Sequence, residues 1–154
     1  MLLDSNIIIY ASQPEHTQIR QFIGEHDIVV SAISYVEVLG YHRLTEENRL
    51  YFEEFFGVVE VLPISNAVLD RAVLLRQMKK MTIGDAIIAA TALVYGRTLV
   101  TRNVGDFRWI AELTLINPFE TKVKMGDRTL GRSGRSHFPR SYIAIMTISQ
   151  KIST

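Results

Sequence analysis

Five short runs of apolar residues recur along the first 120 residues, and each has the length of a β-strand. They lie at "MLLD", "DIVVSA", "VVEVLPI", "TLVTR" and "LTLINP". Nearly every position in these runs is apolar, which is typical of strands covered on both faces of a parallel sheet. Segments of helical length separate the runs. The pattern therefore predicts a three-layer α/β/α domain with a central, mainly parallel sheet of about five strands.

The predicted helices follow from the spacing of apolar residues and from residue types that favour helix ends. They cover about 15–25, 34–44, 46–56, 66–79 and 83–95, with a short turn near 106–111. Ser34 and Asn66 are candidate N-caps, and Gly96 is a candidate C-terminal glycine. The regularity ends after "LINPFE", so we predict one domain over residues 1–120 and an atypical tail over residues 121–154. Within that tail, "YIAIMTIS" is a candidate for an added strand.

Composition excludes several classes of protein. A chain of 154 residues with 47% hydrophobic and 21% charged residues is typical of a soluble globular domain. No apolar run approaches the roughly 20 residues that span a bilayer, and the first residues lack the pattern of a secretory signal. We therefore expect a cytoplasmic protein that does not associate with membranes. The absence of Cys excludes disulfides, a thiolate nucleophile and a sulfur-based zinc site.

Charge is distributed unevenly along the chain. Residues 1–121 hold 10 Lys and Arg against 15 Asp and Glu, a net charge of −5, whereas residues 122–154 hold 7 against 1, a net charge of +6. An acidic body argues against simple electrostatic capture of nucleic acid. An acidic cluster within that body would need something to neutralise it.

Four carboxylates stand out because each interrupts or follows an apolar segment. Asp4 directly follows the first strand, and Glu37 is the only charged residue between residues 31 and 41. Asp85 lies in the first turn of a helix that is otherwise small and apolar, and Asp106 follows the fourth strand. Each has an ordinary alternative: a helix cap for Asp4, a solvated rim position for Glu37, the helix dipole for Asp85 and a turn for Asp106.

Together the four carboxylates favour a shared site. Each is expected near a strand-to-helix transition at the carboxyl edge of one sheet, where open α/β sheets bind ligands. Four such groups in one cleft raise one another's pKa, so the cleft either binds cations or is partly protonated. Ligation by oxygen alone selects a hard ion, magnesium or manganese, over zinc.

The motifs around these carboxylates resemble those of PIN-domain ribonucleases, and within them the VapC-type toxins of bacterial and archaeal toxin–antitoxin pairs. "LLDSNIIIY" resembles the opening Asp motif, "SAISYVEVLGY" the Glu helix, "IGDAIIAATAL" the second Asp motif and "LVTRNVGDF" the terminal Asn and Asp motif. The resemblance covers about residues 1–120, with the motifs in order.

This resemblance implies a PIN-like fold and magnesium-dependent endonucleolytic cleavage of RNA, with manganese as a substitute. The implied catalytic and metal-binding residues are Asp4, Glu37, Asp85 and Asp106. We expect Asp4, Asp85 and Asp106 nearest the metal, and Glu37 bound directly or through water.

Other polar residues near the four carboxylates are candidates for supporting roles. Asn6, Thr101 and Asn103, with Ser5 as a further candidate, have polar groups suited to orienting carboxylates or water, although local capping explains each equally well. Candidates for contact with RNA phosphates are Lys79, Lys80, Arg102 and Arg108. Trp109 and Tyr41 are candidates for base stacking, with burial in the core as the alternative. The four His residues are scattered and receive no role.

The resemblance also implies partners: a cognate antitoxin that covers the groove, an RNA substrate with transfer RNA as a candidate class, and a second copy of the chain in a homodimer. The basic tail departs from the family, whose members commonly end soon after a segment like "LINPFE". One interpretation is an RNA-binding arm. The interpretation we favour is sequence of read-through, frameshift or cloning origin, because the Gly, Ser and Arg run has no patterned face.

Two alternatives to a nuclease stay open at this point. The first is a PIN-like domain that binds RNA or an antitoxin without cutting, which the presence of all four acidic positions disfavours. The second is a phosphoryl-transfer domain with Asp4 as nucleophile. It is disfavoured because "DSN" lacks the second Asp expected of such hydrolases and the first strand lacks the adjacent acidic residues of a receiver.

Overall fold

The computed structural model describes residues 1–120, which form a parallel sheet with helices on both faces. The strands are β1 (Leu2–Leu3), β2 (Val29–Ser31), β3 (Glu60–Leu62), β4 (Leu99–Val100) and β5 (Leu115–Ile116). The helices are α1 (Ser5–Ala11), α2 (Thr17–Glu25), α3 (Ala32–Leu39), α4 (Glu46–Val58), α5 (Asn66–Met78), α6 (Ile83–Val94) and α7 (Val104–Phe107). The predicted three-layer α/β/α architecture with five strands is confirmed.

The strand order places the start of the chain at the centre of the sheet. The order is β3-β2-β1-β4-β5, and every pairing is parallel. In β1, Leu3 pairs with Val30 on one side and with Val100 on the other. The chain runs outward in one direction from β1 to β3 and in the other from β4 to β5. The gap between the ends of β1 and β4 is therefore a topological switch point, where open α/β sheets form a ligand crevice.

Adjacent residues of each central strand face two separate cores. Leu2, Val29 and Leu99 pack with α5, α6 and the residues around α7. Their neighbours Leu3, Val30 and Val100 pack instead with α1, α2 and α4. Because side chains alternate across a strand, a doubly covered strand must be apolar at every position. This explains the unbroken apolar runs in the sequence.

Helix α1 was not among the helices predicted from the sequence. The β-branched "III" favours a strand by propensity, but Ile7, Ile8 and Ala11 are buried on one helical face while Ile9 is 38% exposed. Arg20 of α2 supports the end of α1. Its buried guanidinium donates hydrogen bonds to the carbonyl oxygens of Ala11 (3.0 Å), Gln13 (2.7 Å) and Pro14 (3.0 Å).

Several predicted helix ends were wrong by one or more residues, most of all those of α3. Helix α3 begins at Ala32 with Ser31 as its N-cap, rather than Ser34, and ends at Leu39. The cap of α5 is Ser65, whose hydroxyl accepts from the Val68 amide, rather than Asn66. At both helix starts, two nearby residues are of types that favour the N-cap position. The residue type alone therefore did not identify the N-cap. The short turn predicted near 106–111 is α7, which begins earlier.

The prediction of a C-terminal glycine at Gly96 is confirmed. Its φ of +62° lies in the left-handed region, and the following Arg97 amide donates to the Ala92 carbonyl at 2.8 Å to close α6. Within residues 1–120, no helix combines the length and apolar character needed to cross a membrane. The boundary at residue 120, the basic tail and the strand predicted at "YIAIMTIS" concern residues outside the described part of the chain.

Candidate active site

Asp4 lies at the switch point between β1 and β4 and is only 4% exposed. Its backbone amide donates to the Val100 carbonyl at 2.9 Å, which continues the β1–β4 ladder. Its carboxylate accepts a 2.8 Å hydrogen bond from the Thr101 hydroxyl, which in turn accepts from the Asn103 amide at 3.0 Å. Asp4 is the N-cap residue of α1 by position, but its side chain makes no capping hydrogen bond. The capping alternative therefore does not explain this carboxylate.

The surroundings of Asp4 favour its neutral form when no cation is bound. Its pKa is raised from 3.8 to about 6, chiefly by burial and to a smaller extent by the charges of Asp85 and Glu37. The hydrogen bond from Thr101 and the Ser5 amide oppose this shift. A buried carboxylate with like charges beside it is the arrangement that a bound cation stabilises.

Buried hydroxyls join α1 and α3 behind Asp4. The Ser5 hydroxyl donates to the Ser34 hydroxyl at 2.9 Å, and both side chains are buried. Ser5 thus ties the helix that follows Asp4 to the helix that carries Glu37. A second bond, from Thr91 of α6 to the Ser31 hydroxyl at 3.2 Å, connects α3 to α6. These contacts fix the relative positions of three helices at the site.

Glu37 is exposed on α3, and its carboxylate lies against the first turn of α6. A Cβ atom built on Gly84 would stand 1.9 Å from Glu37 Oε1 and 3.1 Å from its Cδ. The solvated rim position was the alternative for Glu37, and its exposure agrees with that alternative. Its contact with Gly84 nevertheless places it next to Asp85.

Asp85 occupies the first turn of α6, as predicted. Thr82 is the N-cap, and its hydroxyl accepts from the Asp85 amide at 3.1 Å. Half-burial raises the pKa of Asp85, the Thr82 hydroxyl lowers it, and the charge of Asp106 raises it. One expectation was wrong: α6 follows helix α5 rather than a strand, so Asp85 reaches the site from a helix–helix turn.

Asp106 is exposed in α7, directly beyond β4. Its amide donates to the Asn103 carbonyl at 3.0 Å, and its own carbonyl accepts from Trp109 Nε1 at 3.0 Å. The loop after β4 therefore carries Thr101 toward Asp4 and Asp106 toward Asp85. The four carboxylates form a linked series, with Asp4 influenced by Asp85 and Glu37, and Asp85 influenced by Asp106.

A groove of about 530 Å³ opens beside Asp85 and Asp106, and its other wall is basic. Lys79 and Lys80, both singled out from the sequence, line it together with Arg76, which sequence reasoning missed. The Lys79 ammonium lies 5.7 Å from the centroid of the Trp109 ring. The sequence could have indicated Arg76, because it lies with Lys79 and Lys80 in a cluster of three cations at the end of α5.

Arg102 is held by aromatic rings on another part of the same edge. Its guanidinium carbon lies 4.9 Å from the ring centroid of Tyr10 and 4.7 Å from that of Phe119. His16 contacts both rings edge-on, at 5.2 and 5.4 Å between centroids. This aromatic cluster was not found from the sequence because it joins three segments that meet only in the fold.

The remaining candidates are more dispersed. Asn6 is half-buried on α1, and Arg108 is exposed at the end of α7. Trp109 is half-buried, whereas Tyr41 is exposed beyond α3. Across residues 1–120, no three side chains of His, Cys, Asp or Glu lie close enough together to hold a metal ion. The structure thus brings the four carboxylates to one edge without closing them into a tight cage.

A parallel α/β/α fold with carboxylates at the switch point is what the sequence predicted for a PIN-like domain. Comparison with known proteins agrees with this class. Residues 1–113 match the PIN domain family, and the chain belongs to that family. Within it, the chain is similar to ribonuclease VapC1 of Rickettsia felis, at 32% identity over 132 residues that cover 75% of this chain and 94% of that relative. The resemblance to VapC-type proteins is confirmed.

Solved structures of toxin–antitoxin proteins are also similar to this chain. A toxin–antitoxin complex from Klebsiella pneumoniae has 29% identity and a TM-score of 0.62, covering 76% of this chain and 96% of that chain. VapBC-1 from nontypeable Haemophilus influenzae has 25% identity and a TM-score of 0.64, covering 77% and 98%. DNA-bound VapBC from Salmonella typhimurium, at 23% identity, 76% and 96% coverage and a TM-score of 0.67, is similar in fold.

Proposed function

We propose that this chain is a divalent-metal-dependent endoribonuclease and the toxin of a toxin–antitoxin pair. The observation that supports the proposal is the buried Asp4 at the switch point, whose carboxylate interacts electrostatically with Asp85 and Glu37, while Asp85 interacts in turn with Asp106. Membership of the PIN domain family and similarity to a ribonuclease VapC1 support it.

The residues present fit a hard divalent cation. Their donor atoms are carboxylate and hydroxyl oxygens, and burial together with like charges raises the pKa of both Asp4 and Asp85. Asp4, Asp85 and Asp106 would hold Mg²⁺, or Mn²⁺ in its place, and Glu37 would bind it directly or through water. Such an ion, when bound, lowers the pKa of a water molecule and offsets charge on the scissile phosphate.

The protein's own groups prepare this site before substrate arrives. Thr101 fixes the orientation of the Asp4 carboxylate, and the Asn103 amide fixes the Thr101 hydroxyl. Asn6 and the Asn103 side chain lie on the segments that follow β1 and β4, where they would orient water or a carboxylate. Preorganised polar groups of this kind avoid the cost of reorganising solvent during reaction.

RNA phosphates would bind the basic wall of the groove. Arg76, Lys79 and Lys80 line the same groove as Asp85 and Asp106, so a phosphate bound in the groove would lie near both the cations and the acidic site. Arg102, held over Tyr10 and Phe119, would contact a more distant phosphate. Arg108 is exposed and would add attraction at the rim.

We also propose a cognate antitoxin, because the matched structures from Klebsiella pneumoniae and Haemophilus influenzae are a toxin–antitoxin complex and VapBC-1. We propose a homodimer because the resemblance to VapC-type toxins implies one. Co-purification with the protein encoded beside this chain, followed by light scattering of the complex and of the free protein, tests both. Truncation after Glu120 tests the tail. Unchanged folding and cleavage would support an origin without selected function, and a large loss would favour an RNA-binding arm.

The main experiment is cleavage of an RNA pool rich in transfer RNA by antitoxin-free protein with Mg²⁺ or Mn²⁺. Asp4→Asn is the test variant, and Asp70→Asn, which changes an exposed carboxylate on α5 outside the site, is its matched control. We expect discrete fragments from the wild type and from Asp70→Asn, and none with EDTA or with Asp4→Asn. Metal binding without cleavage of any RNA would instead favour the binding-only alternative.

A further inference from the structure

Gly84 is an unusual residue for its position in α6. The helix is otherwise rich in Ala and Ile, which favour or tolerate helix, whereas Gly is a poor helix former. Its backbone does not require glycine, because among the described glycines only Gly96 has a positive φ. The reason for glycine at this position must therefore be space rather than backbone conformation.

The space above Gly84 is occupied by the carboxylate of Glu37. A Cβ at this position would stand 1.9 Å from Oε1, 3.1 Å from Cδ and 3.8 Å from Oε2, and all three atoms belong to Glu37. At Gly57 and Gly105, by contrast, an added Cβ would meet no atom within 4 Å. A side chain at residue 84 would thus displace the flexible end of Glu37 and leave the surrounding backbone in place.

We propose that Gly84 is a positioning residue, which allows the Glu37 carboxylate to lie against the first turn of α6 beside Asp85. This inference rests on the proposed function, because it assigns Glu37 a place in the metal site. Two contacts already hold α3 near Asp4 and α6, the Ser5–Ser34 and Thr91–Ser31 hydrogen bonds. These contacts position the helices, and Gly84 would then determine where the Glu37 carboxylate lies between them.

The test is Gly84→Ala, with Gly57→Ala as a control in open space on α4. We expect Gly84→Ala to fold with an unchanged or higher thermal midpoint, since Ala is the better helix former. We expect kcat for RNA cleavage to fall about 10- to 100-fold, with a much smaller change in KM. Mn²⁺ binding to the RNA-free protein, measured by calorimetry, should weaken in the same variant and stay unchanged in Gly57→Ala.

A double-mutant cycle separates positioning from a structural role. If Gly84 acts through Glu37, Gly84→Ala should add no further loss in a Glu37→Ala background. In a Glu37→Asp background the shorter side chain withdraws the carboxylate from residue 84, so the added methyl should cost less than in the wild type. Full additivity in the cycle would overturn the proposal.

The measurements also distinguish this inference from the proposed function. If the wild type cleaves RNA and Gly84→Ala cleaves equally well, the inference fails and the ribonuclease proposal stands. If the wild type cleaves nothing, Mn²⁺ binding decides. Equal weakening in Gly84→Ala and Glu37→Ala would support the positioning role, and wild-type affinity in Gly84→Ala would overturn it.

Discussion

The raised pKa of Asp4 predicts that the metal-free protein loses stability as pH rises toward neutrality. Burial raises this pKa from 3.8 to about 6 in the folded protein, whereas an unfolded Asp titrates near its ordinary value. Between these two values the folded state binds a proton that the unfolded state has lost. The free energy of unfolding therefore falls with increasing pH, by about 3 kcal/mol once the pH exceeds the folded pKa.

The assay is urea unfolding of the wild type and Asp4→Asn in EDTA, at intervals from pH 4 to pH 8. Titrations of groups that do not interact with Asp4 cancel in the difference between the two. Asn is neutral throughout, so Asp4→Asn should gain about 3 kcal/mol relative to the wild type across this range, while losing cleavage. A difference in unfolding free energy that does not change with pH would refute the reasoning.

Two further conditions sharpen the same experiment. Thr101→Val removes the hydroxyl that favours the charged carboxylate, so it should cost about 1.5–3 kcal/mol at pH 8 and less at pH 4. At pH 8, Mg²⁺ at about 100 times its dissociation constant should stabilise the wild type by about 2.7 kcal/mol and Asp4→Asn by much less. Equal stabilisation of both by Mg²⁺ would place the ion elsewhere.

Three other outcomes are expected from the structure. Lys79→Ala should raise KM for RNA by about tenfold and reduce its dependence on salt, with little change in kcat; a KM equal to the wild type's would remove Lys79 from the RNA-binding wall. Arg20→Leu should lower the free energy of unfolding by about 3 kcal/mol, measured in urea, because it removes a buried guanidinium that donates to three carbonyl oxygens. Gly57→Ala should raise the same free energy by about 0.5–1 kcal/mol without altering cleavage, and destabilisation would indicate crowding near α4.

The layered fold could be predicted because each strand is covered on both faces. Runs such as "DIVVSA" predict burial on both faces of the strand, and the structure places Val29 and Val30 in different cores. Helix α1 could not be predicted in the same way. Its three consecutive Ile residues favour a strand by propensity, and only the tertiary burial of Ile7, Ile8 and Ala11 on one face selects the helix.

The candidate site divides along similar lines. A lone carboxylate in an apolar segment, as at Asp4 or Asp85, is visible in the sequence because its burial carries a cost. The contact of Gly84 with Glu37 and the aromatic support of Arg102 depend on which distant segments meet. The spacing of residues along the chain does not predict contacts between distant segments, so these residues could only be found in the structure.

The alternation of Leu2 and Leu3 between two cores has a consequence for errors in the chain. Strands of two or three residues contain few ladder hydrogen bonds, so register depends on which side chain faces which core. Inserting one residue between Leu3 and Asp4 would either move Leu3 to the position of Leu2, facing the wrong core, or keep the leucines in place and withdraw Asp4 from Thr101. In the first case the product would be unfolded rather than folded and inactive, and proteolysis would remove it before it could compete for binding partners.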